Sequence, residues 1–348
     1  MEIFVTGATG LVGNALTKRL IENGAQVKAL VRSPKKAKKL GLSHPRLTLI
    51  QGDLSDKKLL EKSMQGSKKV YHLAALAGVW APGNEFYDIN VKGTQHVMEA
   101  ALHAGVERVV VTSTAGVIGP EVNGPVNENT QRVVPFFNEY ERTKAEAKEL
   151  AFSYQAKGLE VVATAPTRVY GPGPLCESNV TTKMIKQYIS RNVFFRPGDG
   201  QSTGNYVYLP DVVDGHIKAM DKGRSGEFYL LGGHDMNWNQ FLTLVGNSID
   251  KHLPLIPIPI KFFMTVARAQ EFAADNFGKP PMMTPEWVRR FDHNWKVSSQ
   301  KAVEELGYQI TPADTSIQET VAWLKSKELP QRRPSYTSRI SLAMRSIQ

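Results

Sequence analysis

An α/β fold, a doubly wound parallel sheet with a smaller mixed lobe on its C-terminal side, is predicted by three features of this 348-residue chain. Short apolar runs alternate with helical patterns through the first half. A glycine-spaced turn joins the first of these runs to the first helix. From Gly171 the texture changes to Gly/Pro-rich loops, scattered helices and aromatics. Apolar runs without polar alternation, separated by helices, mean a parallel sheet covered on both faces. Right-handed crossovers wind such a sheet in both directions and leave ligands over the carboxyl ends of its strands.

Ile3, Phe4 and Val5 make the opening strand, which runs into Thr6, then Gly7, Gly10 and Gly13, and a helix over about 11–23. One glycine permits positive φ at the turn, a second lets a diphosphate approach the backbone, and a third lets helix and strand pack closely. The free N–H groups at the helix start then face phosphate, helped by the helix dipole. Further strands fall at 27–31, 47–50, 70–73, 109–112 and 161–164, with helices between them that include 84–104 and 139–157. The stretch 253–260 holds too many prolines for a central strand. With Phe262, Phe263 and Met264 it reads either as an apolar wall or as ordinary core packing of a small lobe.

Composition narrows the class. The net charge is +10, with clusters at Arg32 to Lys39 and in the tail, where Arg332, Arg333, Arg339 and Arg345 meet no acid. No base-reading or stacking module accompanies them, so nucleic acid is not an expected partner. The tail, 331–348, reads as a flexible solvated end, with contact to a membrane surface as its alternative. The one cysteine, Cys176, suits a reducing compartment. No run reaches the ~20 apolar residues of a membrane span, and no signal peptide opens the chain. A cytoplasmic location is the expectation. The eight histidines show no ligand spacing, and no metal is expected.

The run Thr6-Gly-Ala-Thr-Gly-Leu-Val-Gly13 resembles the cofactor loop of the extended branch of the short-chain dehydrogenase/reductase superfamily. The resemblance implies a Rossmann domain over 1–170, to which 206–231 returns, and a substrate lobe over 171–205 and 232–330. It makes Gly7, Thr9, Gly10, Leu11, Val12 and Gly13 cofactor contacts. An NAD site of this type has an acid at the end of the second strand, on the adenosine ribose. Here Val31 stands in that place and Arg32 follows. A carboxylate would repel a 2′-phosphate, whereas a guanidinium grips it, so the expected cofactor is NADP(H). Lys39 matches the second basic position of plant dihydroflavonol reductases. Asp53 and Leu54 resemble the adenine-contacting pair, and Ala74 and Ala75 the loop beside the ribose. Pro166, Arg168 and Val169 resemble the segment closing over the nicotinamide.

Tyr140 and Lys144 lie four residues apart on one predicted helix face. Reduction of a ketone needs a proton at oxygen as hydride reaches carbon, and a free phenol with a pKa of about 10 is a poor donor and base near neutrality. An adjacent ammonium stabilises the phenolate. By resemblance, Lys144 also binds the nicotinamide ribose and Thr114, just before Ala115, takes the hydroxyl position that orients the carbonyl. Ser113 is the fallback, as a cofactor or structural contact. Asn90 resembles the family's scaffold asparagine.

Several departures bear on the reaction. Dehydratases of this branch carry Asp-Glu beside the catalytic threonine, where this chain has Ala115-Gly116. Nucleotide-sugar enzymes carry Arg-Asp where Gly204-Asn205 stand, so a UDP-sugar would lose its charge clamp. Ala77-Gly-Val-Trp-Ala-Pro82, the Arg32 site and the apolar stretch resemble the dihydroflavonol reductase-like group. The expected activity is NADPH-dependent reduction of a ketone or aldehyde on a moderately apolar small molecule. A sugar epimerase with bound cofactor and a non-catalytic NADP sensor are the alternatives. Family members include homodimers and monomers.

Overall fold

The computed structural model describes residues 2–176 and 178–328, and the expected basic tail lies outside them. Its strands are β1 (Glu2–Thr6), β2 (Gln26–Val31), β3 (Leu47–Gln51), β4 (Lys69–His72), β5 (Arg108–Thr112), β6 (Glu160–Pro166), β7 (Arg168–Tyr170), β8 (Phe194–Pro197), β9 (Thr203–Tyr208), β10 (Phe228–Leu231), β11 (His234–Asn237) and β12 (Leu255–Ile258). The helices are α1 (Leu11–Glu22), α2 (Pro34–Lys39), α3 (Lys57–Met64), α4 (Glu85–Tyr87), α5 (Gly93–His103), α6 (Glu139–Ser153), α7 (Val180–Ile189), α8 (Leu209–Lys222), α9 (Trp238–Ile249), α10 (Ile260–Phe277), α11 (Pro285–Arg289) and α12 (Ala313–Glu328). Every predicted strand of the first half is present, to within one or two residues at its ends.

Seven strands form one sheet in the order β10-β6-β5-β4-β1-β2-β3, all paired parallel. The chain leaves β1 in one direction through β2 and β3, then returns to β4 and proceeds the other way. The order therefore reverses between β1 and β4, and a crevice opens beyond their carboxyl ends. Alternate residues of β1 serve the two faces. Ile3 and Val5 join the core with Leu16 and Leu20 of α1 and Val213 of α8. Phe4 joins the opposite core with Leu60 of α3, Val97 and Met98 of α5 and Ala151 of α6. Both faces are dry, which is why these strands read as unbroken apolar runs.

A three-stranded sheet, β11-β9-β7, and the parallel pair β12-β8 lie apart from the large sheet. Pro257 sits in β12, which pairs with β8 alone and so tolerates a residue without an N–H. The segment 206–231 does not return as one piece. Tyr206–Tyr208 remain in β9, and only from Leu209 does the chain pack on the large sheet as α8 and β10. Conversely, Ala302, Leu306 and Tyr308, expected within the lobe, pack in the core beside α8. The predicted helix 84–104 is α4 and α5 joined through a widened π-helical turn, Asp88–Lys92, and 139–157 ends in a tight turn, Tyr154–Lys157.

Two buried histidines tie helices to the strand ends. His216 of α8 donates through Nδ1 to the Val212 carbonyl at 2.7 Å, so its Nε2 accepts from Thr112 and Thr164 at 2.9 and 3.0 Å. His72 bonds Thr6 at 2.8 Å and Thr94 at 2.9 Å. Burial lowers His72 to about 3, helped by the charge of Lys144, and His216 to about 4. Both rings are neutral in the fold but protonate below about 6.5 in the unfolded chain. The unfolded state then binds more protons, so stability present above pH 6.5 falls as pH drops through 6.5 toward 4. Urea titrations between pH 7 and 4 should show this decline, and a His216→Gln variant should show a shallower one. Identical slopes for the two proteins would refute the assignment to His216.

Candidate active site

The crevice begins at a close backbone approach. Gly7 turns the chain at φ 78°, and a Cβ there would lie 2.5 Å from the Ala74 nitrogen. A Cβ on Gly13 would lie 2.2 Å from the Gly7 carbonyl oxygen. Three strands of chain meet where only hydrogen atoms fit. Gly10, by contrast, has just the Gly7 oxygen nearby, at 3.3 Å, and leaves its outer side open. It also starts α1 with no side-chain cap, so the first-turn amides of Leu11, Val12 and Gly13 are free to face a phosphate. Thr9 is half-buried within this turn. Gly173, beyond β7, lies against Leu11, so the loop after Tyr170 covers the start of α1.

A directed hydrogen-bond chain leads away from the loop. The Ala74 amide donates to Thr6 Oγ1 at 3.2 Å, and Thr6 donates to His72 Nδ1. His72 Nε2 donates to Thr94, whose hydroxyl donates to the Asn90 carbonyl at 2.6 Å. Asn90 is 1 % exposed on the widened turn. Its side chain accepts from the Leu76 amide at 2.8 Å, donates to the Leu76 carbonyl, and donates to Thr143 Oγ1 at 3.0 Å. The loop after β4, which carries Ala74 and Ala75, is thereby pinned to the helix that carries Tyr140 and Lys144.

That helix, α6, is capped by Asn138, which accepts from the Glu141 amide at 2.8 Å. The Thr114 hydroxyl reaches the Tyr140 phenol, and Thr114 itself caps the short turn Ala115–Val117. Lys144 is 3 % exposed, and its ammonium finds no hydrogen-bond acceptor among the described residues. Burial lowers it to about 8. The buried Ser113 hydroxyl also lacks a partner. With the protein's own groups alone, burial pushes the Tyr140 phenol up, opposed by the Thr114 hydrogen bond and by the charge of Arg290.

At the other end of the crevice Arg32 is exposed directly after β2, and Val31 before it is buried at 3 %. Asp53 Oδ1 accepts from the Ser55 amide and hydroxyl at 2.8 and 2.5 Å, which holds this carboxyl below its ordinary range, with Arg32 adding to the effect. Leu54 beside it is buried. Lys39 ends α2 in solvent, a helix away from Arg32. Pro166 closes β6 in the core, and Val169 pairs with Val207. The Arg168 side chain lies against β9. Its Nη1 donates to the Tyr206 hydroxyl at 3.3 Å and occupies the space a Cβ on Gly204 would need.

One buried cluster was not foreseen. Glu141, 1 % exposed, is gripped by Arg132 at 2.9 Å and by Arg290 from the far end of the chain. The only signal in the sequence is a carboxylate directly after Tyr140. Nothing marks the two arginines as its partners.

An uncapped helix start beside open glycine, an unpartnered buried ammonium and an orphaned hydroxyl are what a dinucleotide with ribose hydroxyls would complete. Fold and site define an NAD(P)-dependent protein of the extended short-chain dehydrogenase/reductase type. The chain belongs to the NAD dependent epimerase/dehydratase family, whose model matches residues 3–232. It is 30 % identical to sterol demethylase protein B of Methylococcus capsulatus, covering 94 % of this chain and 99 % of that protein. It is 32 % identical to a 4-hydroxy-2-methyl-3-oxo-4-farnesyl-3,4-dihydroquinoline-1-oxide ketoreductase of Stigmatella aurantiaca, covering 70 % and 72 %. The UDP-glucose 4-epimerase of Thermotoga maritima superposes with a TM-score of 0.77 over 94 % and 99 % of the two chains at 23 % identity, a likeness of fold. Among the described residues no helix is long and apolar enough to cross a membrane.

A buried ammonium lowered to about 8 from 10.5 carries its cost at neutral pH, where the folded and unfolded chains both hold the proton. Replacing it with an apolar side chain removes that cost. Lys144→Met should therefore raise stability at pH 7, by on the order of 1–3 kcal/mol in chemical denaturation. A loss of stability would show that the ammonium is solvated or paired in the free protein.

Proposed function

We propose that this protein reduces a ketone or aldehyde on a moderately apolar molecule with NADPH, Tyr140 giving the proton. The observation that carries the reading is the Thr114 hydroxyl meeting the Tyr140 phenol, with the buried Lys144 one turn further along the same helix. Bound NADPH supplies the hydride. The residues of the chain do the rest. The Thr114 hydroxyl and the Tyr140 phenol hold the carbonyl oxygen, which fixes its carbon for attack from one side. As negative charge builds on that oxygen, the Tyr140 proton moves to it and the phenolate is left among cations. Lys144 holds the ribose and stabilises the phenolate once a ribose hydroxyl draws its ammonium into place.

Arg32 supports the choice of NADPH, since the end of β2 offers a guanidinium and no carboxylate to the 2′-position. An apolar substrate is supported by a relative named as the ketoreductase of a farnesylated quinoline oxide. A nucleotide-sugar substrate is disfavoured by Gly204-Asn205, which stand where such enzymes carry Arg-Asp.

Titration with NADPH and NADH, followed by fluorescence and melting temperature, tests the reading first. NADPH should bind tighter, exchange freely and reduce apolar ketones. Tight, non-exchanging NAD would point to epimerisation, and binding without turnover of any carbonyl compound would point to a sensor. Arg32→Asp should weaken NADPH about tenfold or more while changing NADH far less. Equal loss for both cofactors would make Arg32 structural.

A further inference from the structure

We propose that the outward face of α10, with the strand pair before it, docks on an anionic lipid bilayer, its phenylalanines entering the surface and its flanking cations meeting the headgroups. Docking of this kind needs neither the cofactor nor the active site. α10 runs for 18 residues, Ile260–Phe277, yet only Ala267 and Ala274 of them are buried. Phe262, Phe272 and Phe277 are 58, 63 and 69 % exposed. A helix turns about 100° per residue, so these rings fall within an arc of about 140°. Thr265, Val266, Ala269, Ala273 and Asn276 complete the arc, and no residue in it carries a charge. A helix on the surface of a globular domain ordinarily turns charged side chains to water. α10 turns an uncharged, aromatic face there instead.

The neighbouring strands add to this face. In the pair β8–β12, Phe194 and Leu255 pack into the lobe's core, whereas Phe195 and Ile256, paired in register, are exposed. Val193, just before β8, is exposed as well. At the far end of α10 the Phe272 and Phe277 rings meet edge to face, with centres 6.4 Å apart. The exposed Met282 is held near them, because its amide donates to Gln270 Oε1 at 2.8 Å. Apolar side chains gathered in this way mark an interaction surface rather than scattered surface residues.

Charge selects the occupant. Arg191, Lys251, Lys261, Arg268 and Lys279 are exposed on these segments and form no ion pair among the described residues. The exposed acids without a partner there are Asp250 and Asp275. Glu286 is engaged by Arg289, Asp199 accepts from the Gln201 amide, and Glu271 is half-buried. Lys261 and Arg268, two turns apart, line one edge of the uncharged arc. Their stems can lie along apolar surface while their heads reach phosphate. A second copy of the chain would double the positive surplus at a shared face, whereas anionic headgroups neutralise it. No described helix is long and apolar enough to cross a membrane, so α10 lies in the surface.

The test mixes the full chain with vesicles of phosphatidylcholine alone, or of phosphatidylcholine with phosphatidylglycerol, and reads the bound fraction by flotation. The chain should bind the anionic vesicles at least about tenfold more tightly, and added salt should erase the difference. Phe262→Ser with Phe272→Ser should weaken binding to anionic vesicles about tenfold or more. Lys261→Glu with Arg268→Glu should remove the preference for anionic lipid. Val303→Ser, at an exposed apolar residue beside the large sheet's core, should change nothing. Absence of vesicle binding overturns the proposal. So does binding that survives the phenylalanine changes, which would assign the attraction to positive charge elsewhere on the chain. A dimer that the same changes dissolve, without vesicle binding, would give the face to a second copy. Should the double variant fail to fold, Phe262→Ser and Phe272→Ser taken singly should each weaken binding about threefold or more.

Discussion

Everything in the crevice hangs on the close approach of three backbone segments at the switch point. The end of β1, the start of α1 and the loop after β4 converge until a single methyl group on Gly7 or Gly13 would overlap a neighbouring backbone atom. This contact sets the angle at which α1 leaves the sheet and leaves its first amides uncapped. It also brings Ala74 within hydrogen-bond reach of Thr6. From there the chain through His72, Thr94, Asn90 and Thr143 carries the placement to α6. The cofactor cradle and the proton donor are thus held by one continuous set of directed bonds. A buried network of this kind rigidifies only if every member is satisfied.

Against that rigidity stand groups at the crevice that the fold leaves unsatisfied. The Ser113 hydroxyl is buried without a partner, and Lys144 is 3 % exposed with its ammonium disfavoured by burial. A core chosen for stability alone would hold neither, since burying an unpaired charge costs more than any packing gain at that position. Groups that pay this cost sit where a ligand completes them. The Glu141 cluster shows the opposite solution, with a buried carboxylate overcompensated by two arginines. One deficit and one surplus of partners lie on the helix that carries Tyr140.

Much of this was legible in the sequence, for local reasons. The strand positions follow from apolar runs that need both faces covered, and the loop from glycines whose spacing serves contacts a few residues away. Tyr140 and Lys144 share a face because a helix repeats every 3.6 residues. Other readings lacked a local cause. Arg168 follows β6 in sequence, but its direction is decided by the empty space at Gly204 on a different strand. The return of the chain to the large sheet begins at Leu209, because Tyr206 and Tyr208 pair with β7 and their rings fill the lobe's core with Phe241. Ala302, Leu306 and Tyr308 close the large sheet's core, although they follow the lobe in sequence.

By itself the sequence determined the sheet, the glycine loop, the cation at the end of β2 and the spacing of the phenol and the ammonium. Each depends on residues within one or two turns of one another, where backbone geometry alone sets who meets whom. Tertiary structure alone decided that Glu141 points inward and that Arg290, 149 positions later, closes on it. Charge pairing across two bodies depends on where they dock, and no periodicity records that.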